Sequence, residues 1–271
     1  MSKGDTLSGK TVFELYDTFG FPFDLTSLMA SESGMLVDEA GFKSELNDQK
    51  SRSRKDGKVS TKDWIEVNPS TSNTEFIGYD HTSCDCKILR YREVESKNKT
   101  YFQVVLDRTP FYPEGGGQVG DSGFLISEND KTTVTDTKKE NQLIIHTLTE
   151  LPKDPSIPFL AKVNSDLQLS SARNHSVTHL LHESLRDILG KHVEQKGSLV
   201  RPENLRFDFS HFEKINPDIL QSIEDSVNSK IIKNIALDEQ RDLPISEAKS
   251  AGALMLFGEK YAEQVRMISF G

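Results

Sequence analysis

The stretch Asn174-His175-Ser176-Val177-Thr178-His179-Leu180-Leu181-His182 holds the residues best suited to chemistry. Its apolar periodicity reads as helix. Residues i and i+4 of a helix share a face, so His175 and His179 can reach one point in space. Two neutral imidazole nitrogens at one point are half of a tetrahedral zinc site. Ordinary helix histidines are the alternative, and spacing alone leaves both open. His182 falls on the same stripe, although ring reach favours the first pair. A metalloprotease helix carries a glutamate general base directly after its first histidine. Ser176 stands there, which argues against peptide hydrolysis. Farther on, Gln195 and Ser198 are suited to orienting a polar substrate or a water, and equally to ordinary loop hydrogen bonds.

The elements that must position these residues fall into three regions: 1–59, 60–164 and 165–271. The first reads as helical. A short amphipathic piece opens at Thr11 and stops at Gly20 and Pro22; a second starts at Phe23, and Asp38 offers an N-cap for a third. The middle region alternates turns with short β-branched and aromatic runs. Strands are expected near Phe76–Tyr79, Lys87–Tyr91, Tyr101–Leu106, Gly123–Ser127, Thr132–Thr137, Leu143–Leu148 and Phe159–Val163. That many short strands predicts a small antiparallel β-barrel. Between two of them, Gly115, Gly116 and Gly117 stand in a row before Gln118, which suits either a close backbone approach or a flexible turn. In the third region the histidine helix spans about Asp166 to Leu189, with Gly190 as its stop. Leu205–Phe209 alternates as a strand. Asn216-Pro217 opens a helix with one apolar stripe. A third helix is expected over Ser246 to Glu263, and a last strand over Val265–Ser269. No internal repeat is evident. The fold class is α+β.

Composition sets the bounds. The chain has 271 residues, 35% hydrophobic and 28% charged, with room for two domains. No apolar run approaches a membrane span and no signal region opens the chain, so a cytoplasmic protein without a membrane partner is expected. Net charge is −9, from 33 basic and 42 acidic residues, which does not fit a protein that coats itself in nucleic acid. A local basic run from Lys50 to Lys62 reads as a solvated linker or an RNA contact. The two cysteines, Cys84 and Cys86, form no disulfide framework and suit a reducing compartment. They are expected as two strand residues facing opposite sides of a sheet.

Four motifs together resemble one family. His175 to His182, Gln195 to Val200 and Leu205 to His211 are similar to the editing domain of alanyl-tRNA synthetases. Phe111-Tyr112-Pro113-Glu114-Gly115-Gly116-Gly117-Gln118-Val119-Gly120-Asp121 resembles the glycine-rich motif of the barrel before that domain. Leu15 to Leu25 resembles the segment that joins the tRNA-recognition helices to the barrel. The matches follow the family's order along nearly the whole chain. The resemblance implies a helical tail of the tRNA-recognition region (1–59), a β-barrel (60–164) and an α+β editing core (165–271).

It also implies an activity: hydrolysis of the ester that links serine or glycine to tRNA(Ala). The partners implied are tRNA(Ala) and its mischarged Ser-tRNA(Ala) and Gly-tRNA(Ala) forms. The cofactor implied is zinc, held by His175 and His179 with a Cys and a His of a later Cys-x-x-x-His motif. That motif has no counterpart before Gly271, so weak or absent zinc is expected in this chain. ATP and magnesium would serve only an aminoacylation domain that lies before residue 1. Gln195, Thr178 and Gln118 are the expected pocket residues, with Gly116 and Gly117 packing the loop over the pocket. Two other readings compete. One is a free-standing trans-editing hydrolase, against which the helical segment through Pro22 and Leu25 argues. The other is a non-catalytic tRNA-binding module that uses the Lys50–Lys62 run.

Overall fold

Gly9 and Gly41 let the first helices meet backbone to backbone: a Cβ on Gly9 would lie 2.2 Å from the Gly41 carbonyl carbon. The computed structural model describes residues 5–18, 21–56, 59–70, 73–96, 99–254 and 262–270. The chain divides into two units, Met1–Asp63 with Glu93–Thr100, and Trp64–Arg92 with Tyr101–Gly271. In the first unit, β1 (Thr6–Leu7) precedes α1 (Gly9–Asp17) and α2 (Phe23–Glu32), and β2 (Leu36–Val37) pairs with β1 in parallel. Then follow α3 (Glu39–Asp56) and β3 (Val59–Thr61). Asp38 is the predicted cap: its Oδ1 accepts from Gly41 N at 2.9 Å and its Oδ2 from Gly9 N at 3.3 Å. Phe42 is buried under the rings of Phe13, Tyr16 and Phe23. Gly20 lies outside the described residues, as do most side chains of the Lys50–Lys62 run; Lys62 itself pairs with Glu93 at 2.7 Å.

The second unit opens with β4 (Ile65–Glu66), β5 (Glu75–Phe76), β6 (Ser83–Ser96, its residues from Glu93 on belonging to the first unit), β7 (Lys99–Leu106, in this unit from Tyr101) and β8 (Arg108–Thr109). Four more strands follow: β9 (Gly123–Ile126), β10 (Lys131–Glu140), β11 (Leu143–Leu148) and β12 (Pro158–Val163). Six of these close into an antiparallel barrel in the order β12-β9-β10-β11-β7-β6, with β12 returning to pair with β6. Closure removes the exposed sheet edges. Alternation decides what fills it: along β12, Phe159, Ala161 and Val163 are buried while Leu160 and Lys162 face outward. Ile88, Val104, Leu106, Leu125 and Leu148 complete the interior. Cys84 and Cys86 both pack against this interior, contrary to the expectation of opposite faces. A period of two puts residues i and i+2 on one side of a strand, and Cys84 and Cys86 of β6 follow it.

A buried histidine braces the barrel where the glycine motif begins. His146 on β11 is fully buried; its Nδ1 lies 3.3 Å from Val104 O and its Nε2 2.7 Å from Thr109 Oγ1. A carbonyl only accepts, so Nδ1 carries the proton and Nε2 accepts from the threonine. Thr109 Oγ1 accepts in turn from Phe111 N at 3.2 Å, and the Phe111 ring meets His146 edge-on. Burial pushes the His146 imidazole down to about 4.

The remaining elements are α4 (Ser165–Leu189), β13 (Gln195–Val200), β14 (Leu205–Phe209), α5 (Pro217–Ile232), β15 (Leu237–Pro244), α6 (Ile245–Ser250) and β16 (Gln264–Phe270). Asn164 and Asn216 cap α4 and α5 through their side chains, at Leu167 N and Ile219 N. Leu185, Val193 and Ile223 form the core between α4, α5 and the β13–β14 ribbon. The helix expected over Ser246 to Glu263 is shorter: α6 ends at Ser250, and Gly252, at φ 80°, turns the chain out of helix. Residues 255–261 lie outside the described ones. Among the described residues no helix is long and apolar enough to cross a membrane.

Candidate functional site

Helix α4 sets His175 and His179 one turn apart, and their rings lie parallel (13°) with centroids 5.3 Å apart. Both imidazoles are partly buried and held in the neutral, metal-competent form. Burial first, then the neighbouring His179 and the positive charge of Arg266, push His175 down to about 4. Burial lowers His179 as well. Among the described residues no third His, Cys, Asp or Glu joins them to complete a metal-ligand group.

The glycine loop supplies the second half of the geometry. Gly115 and Gln118 close a tight turn on each other's backbone, at 3.1 and 3.0 Å. The loop docks on the end of β13: Val200 N donates to Gly117 O at 2.8 Å and Val119 N to Val200 O at 3.1 Å. Gly116 and Gly117 take φ of 58° and 79°, the left-handed region open to glycine. This docking buries Gln118 and sets its Oε1 2.8 Å from His175 Nδ1. An amide oxygen accepts, so Nδ1 carries the ring proton and Nε2 keeps its lone pair. Metal-binding histidines take this arrangement, in which a carbonyl on one nitrogen frees and aims the other. A Cβ on Gly116 would come within 3.6 Å of His175 Cε1 and 3.9 Å of Nε2, so glycine there leaves that edge of the ring open.

Other expected pocket residues are placed differently. Thr178 is buried and its hydroxyl donates to Asn174 O at 2.9 Å, one turn back on α4. Gln195 is half-buried at the start of β13, opposite Phe209, at the far end of that strand from the docked loop. His182 turns into the core against Phe207. Its buried Nε2 has no hydrogen-bond partner.

Three further features were not expected from the sequence. Asp121, at the end of the glycine motif, is buried; its Oδ2 accepts from Tyr112 N at 3.0 Å and from Gln168 Nε2, on α4, at 2.7 Å. It thereby ties both ends of the loop to the histidine helix. Burial outweighs these two hydrogen bonds and pushes its carboxyl up to about 6. Arg266, on β16, lies 4.0 Å over the Tyr79 ring and is ion-paired with Glu239. Arg241 grips Asp80 through two hydrogen bonds at 2.7 and 2.9 Å, so the paired strands β15 and β16 are tied to the turn before β6.

The Asp121 clip gives a testable outcome. Asparagine can accept the same two hydrogen bonds without a buried charge. Asp121→Asn is expected to raise stability at pH 7 by about 1–2 kcal/mol, less than the ~3 kcal/mol that the full shift represents. Asp121→Ala, which strands two buried donors, is expected to cost about 2–3 kcal/mol. Urea unfolding of both variants checks the pair, and equal losses would refute the buried-charge account.

A family model described as tRNA synthetases class II (A) matches residues 1–158. An alanine--tRNA ligase of Bacteroides fragilis is 54% identical over 98% of the chain. Alanine--tRNA ligases of Flavobacterium psychrophilum and Porphyromonas gingivalis are 53% and 52% identical, over 100% and 98% of it. The chain spans 30–32% of the length of these curated relatives. With a family match over more than half its residues and this level of identity from end to end, the chain belongs to the class II (A) tRNA synthetases, on their alanyl-tRNA branch.

Proposed function

We propose that this portion of the protein is the editing hydrolase of an alanine--tRNA ligase, cleaving the ester of Ser-tRNA(Ala) and Gly-tRNA(Ala). The observation that carries the reading is the Gln118–His175 hydrogen bond, which presents Nε2 of a neutral imidazole beside a second neutral imidazole. The physical need is clear. A pocket for alanine cannot exclude the smaller glycine, and an added hydroxyl is rejected only about a hundredfold by an apolar site. A second, hydrolytic site supplies the missing discrimination. Ligation of alanine to tRNA(Ala) with ATP and magnesium belongs, on this reading, to other parts of the longer protein.

His175 and His179 would hold a zinc ion, which when bound supplies a Lewis acid for an ester carbonyl or a water. Two imidazoles are half of a stable ligand set, and the other positions would fall to water or to residues of the longer protein. Gln118 holds the proton on His175 Nδ1 and so fixes Nε2 as the nitrogen that would be free to hold an ion. Burial keeps both rings unprotonated near pH 7. Gln195 is the residue we assign to substrate orientation, and its replacement by alanine in the longer protein should slow hydrolysis of Ser-tRNA(Ala).

The test is deacylation of Ser-, Gly- and Ala-tRNA(Ala) by the zinc-loaded longer protein, wild type and His179→Ala. Loss of Ser- and Gly-tRNA hydrolysis in the variant, with Ala-tRNA spared in both, is the expected result. Tight tRNA binding without hydrolysis in the wild type would instead support a binding module. Gln118→Leu should weaken zinc about 10- to 100-fold, the usual cost of removing an outer-shell partner. Chelator competition reads that directly, and an unchanged zinc affinity would remove Gln118 from the site.

A further inference from the structure

The last turn of α4 and the two strands after it build a second feature. The rings of His192 and His211 are tilted by only 21°, with His192 Nε2 and His211 Nδ1 3.0 Å apart. Phe212 stacks on His192 at 4.7 Å and 25°, while its centroid is 6.5 Å from that of His211. These separations put His211 beside His192 in one hydrogen-bonded plate, with Phe212 laid on the plate's face. The plate is seated by Gly190: a Cβ there would lie 3.1 Å from His192 Nδ1. Ser210 fastens the ribbon below it, donating to His192 O and accepting from Glu194 N, both at 3.2 Å. Phe212 is nonetheless 85% exposed, the largest exposure among the large hydrophobic residues described. One ring face is supported and the other is open.

We propose that Phe212 on the His192–His211 plate is a stacking platform for an unpaired nucleobase of the RNA whose 3′ end reaches the His175–His179 pair. This rests on the hydrolytic reading for its choice of RNA. Three arguments favour an RNA base over other occupants. A flat, open π-face backed by a second flat plate matches the face of a base, and such stacking is worth about 1–3 kcal/mol whatever the base. Imidazole nitrogens lie at the rim of the plate beneath the phenyl ring, so polar groups stand at the edge of the stack, unlike a greasy protein contact. The position also fits. Gly190, the C-cap of α4, lies eleven positions after His179, about 16 Å along the helix. That is about five stacked nucleotides at roughly 3.4 Å each, and fewer in an extended strand. The same ribbon carries Gln195, three residues from His192.

The experiment is a binding titration of the chain with an RNA hairpin that copies the tRNA(Ala) acceptor end. A fluorescent purine analogue stands at each unpaired 3′ position in turn. Expected for one position is quenching on binding, lost in Phe212→Leu with about tenfold weaker affinity and restored within about twofold in Phe212→Tyr. Stacking is uncharged, so the salt dependence of binding should be the same in all three proteins. Unchanged affinity and quenching in Phe212→Leu would overturn the proposal. So would self-association of the chain that Phe212→Leu abolishes while RNA affinity holds. Phe212-dependent binding, with Ser-tRNA(Ala) left intact by the zinc-loaded longer protein, sinks the hydrolytic reading and keeps the platform. Hydrolysis with Phe212-independent binding does the reverse.

Discussion

Gly117→Ala is expected to cost about 2–5 kcal/mol and to release Gln118 from His175, whereas Gly115→Ala, two residues away, should change stability by less than about 1 kcal/mol. Two independent penalties meet at Gly117. Its φ of 79° is left-handed, which costs an L-residue about 1–2 kcal/mol. Its missing Cβ would also stand 2.4 Å from Ser198 Oγ and 2.8 Å from Ser198 O. The hydroxyl can rotate away; the carbonyl belongs to β13 and cannot move without breaking the dock at Val200. Overpacking of that kind adds about 1–3 kcal/mol. At Gly115 the nearest atom to a new Cβ is Pro113 O at 3.6 Å, an ordinary contact. Gly116 falls between, with a left-handed φ of 58° but only the His175 ring nearby, at 3.6 Å. The three alanine variants should therefore rank 115, 116, 117 in urea midpoint. Zinc affinity of the longer protein should fall in step for Gly117. Three equal losses would mean that the loop is merely a flexible turn.

That ranking could not have been drawn from the sequence, although the loop was visible there. Three glycines in a row announce a close backbone approach, but which of them meets what depends on Ser198 and Val200, some eighty residues on. The histidine pair was legible because a spacing of four is local information. Its orienting partner was not: Gln118 and His175 are 57 positions apart. Two strands, Leu143–Leu148 with its β-branched run and the cleanly alternating Leu205–Phe209, appear with the expected bounds. β15 escaped because Leu237-Asp238-Glu239-Gln240-Arg241-Asp242 has no apolar alternation; its register is fixed by pairing with β16 and by the ion pairs of Glu239 and Arg241. The expected long last helix failed at Gly252, whose positive φ outweighs the helical look of the residues around it. Tertiary pairing decided each of these, and local pattern carries little of it.

Acid should unfold this protein through His146, and removing the charge of Asp121 should make that plain. His146 is buried neutral at about 4 against an ordinary value of 6.5. The unfolded chain therefore binds the proton first as pH falls. The stability this group contributes is whole above about 6.5 and is lost as pH falls toward 4, by about 3 kcal/mol. Asp121 works in the opposite sense. Its folded value of about 6 lies above the ordinary 3.8, so the folded state takes up that proton first. Falling pH then adds stability between about 6 and 4, and the two groups largely cancel over that interval. Asp121→Asn deletes one side of the balance. Its urea midpoint should start above wild type at pH 7 and drop more steeply toward pH 4. His146→Gln should lose about 1–2 kcal/mol at pH 7, from an imperfect replacement of the bonds to Val104 and Thr109, and then decline less with acid than wild type. Metal-free His175 is pushed down to about 4 and contributes in the same sense as His146, so in His146→Gln its acid loss is what stands against the gain at Asp121. A parallel pH profile for wild type and both variants would contradict the assignment of the acid response to this buried pair of opposed groups.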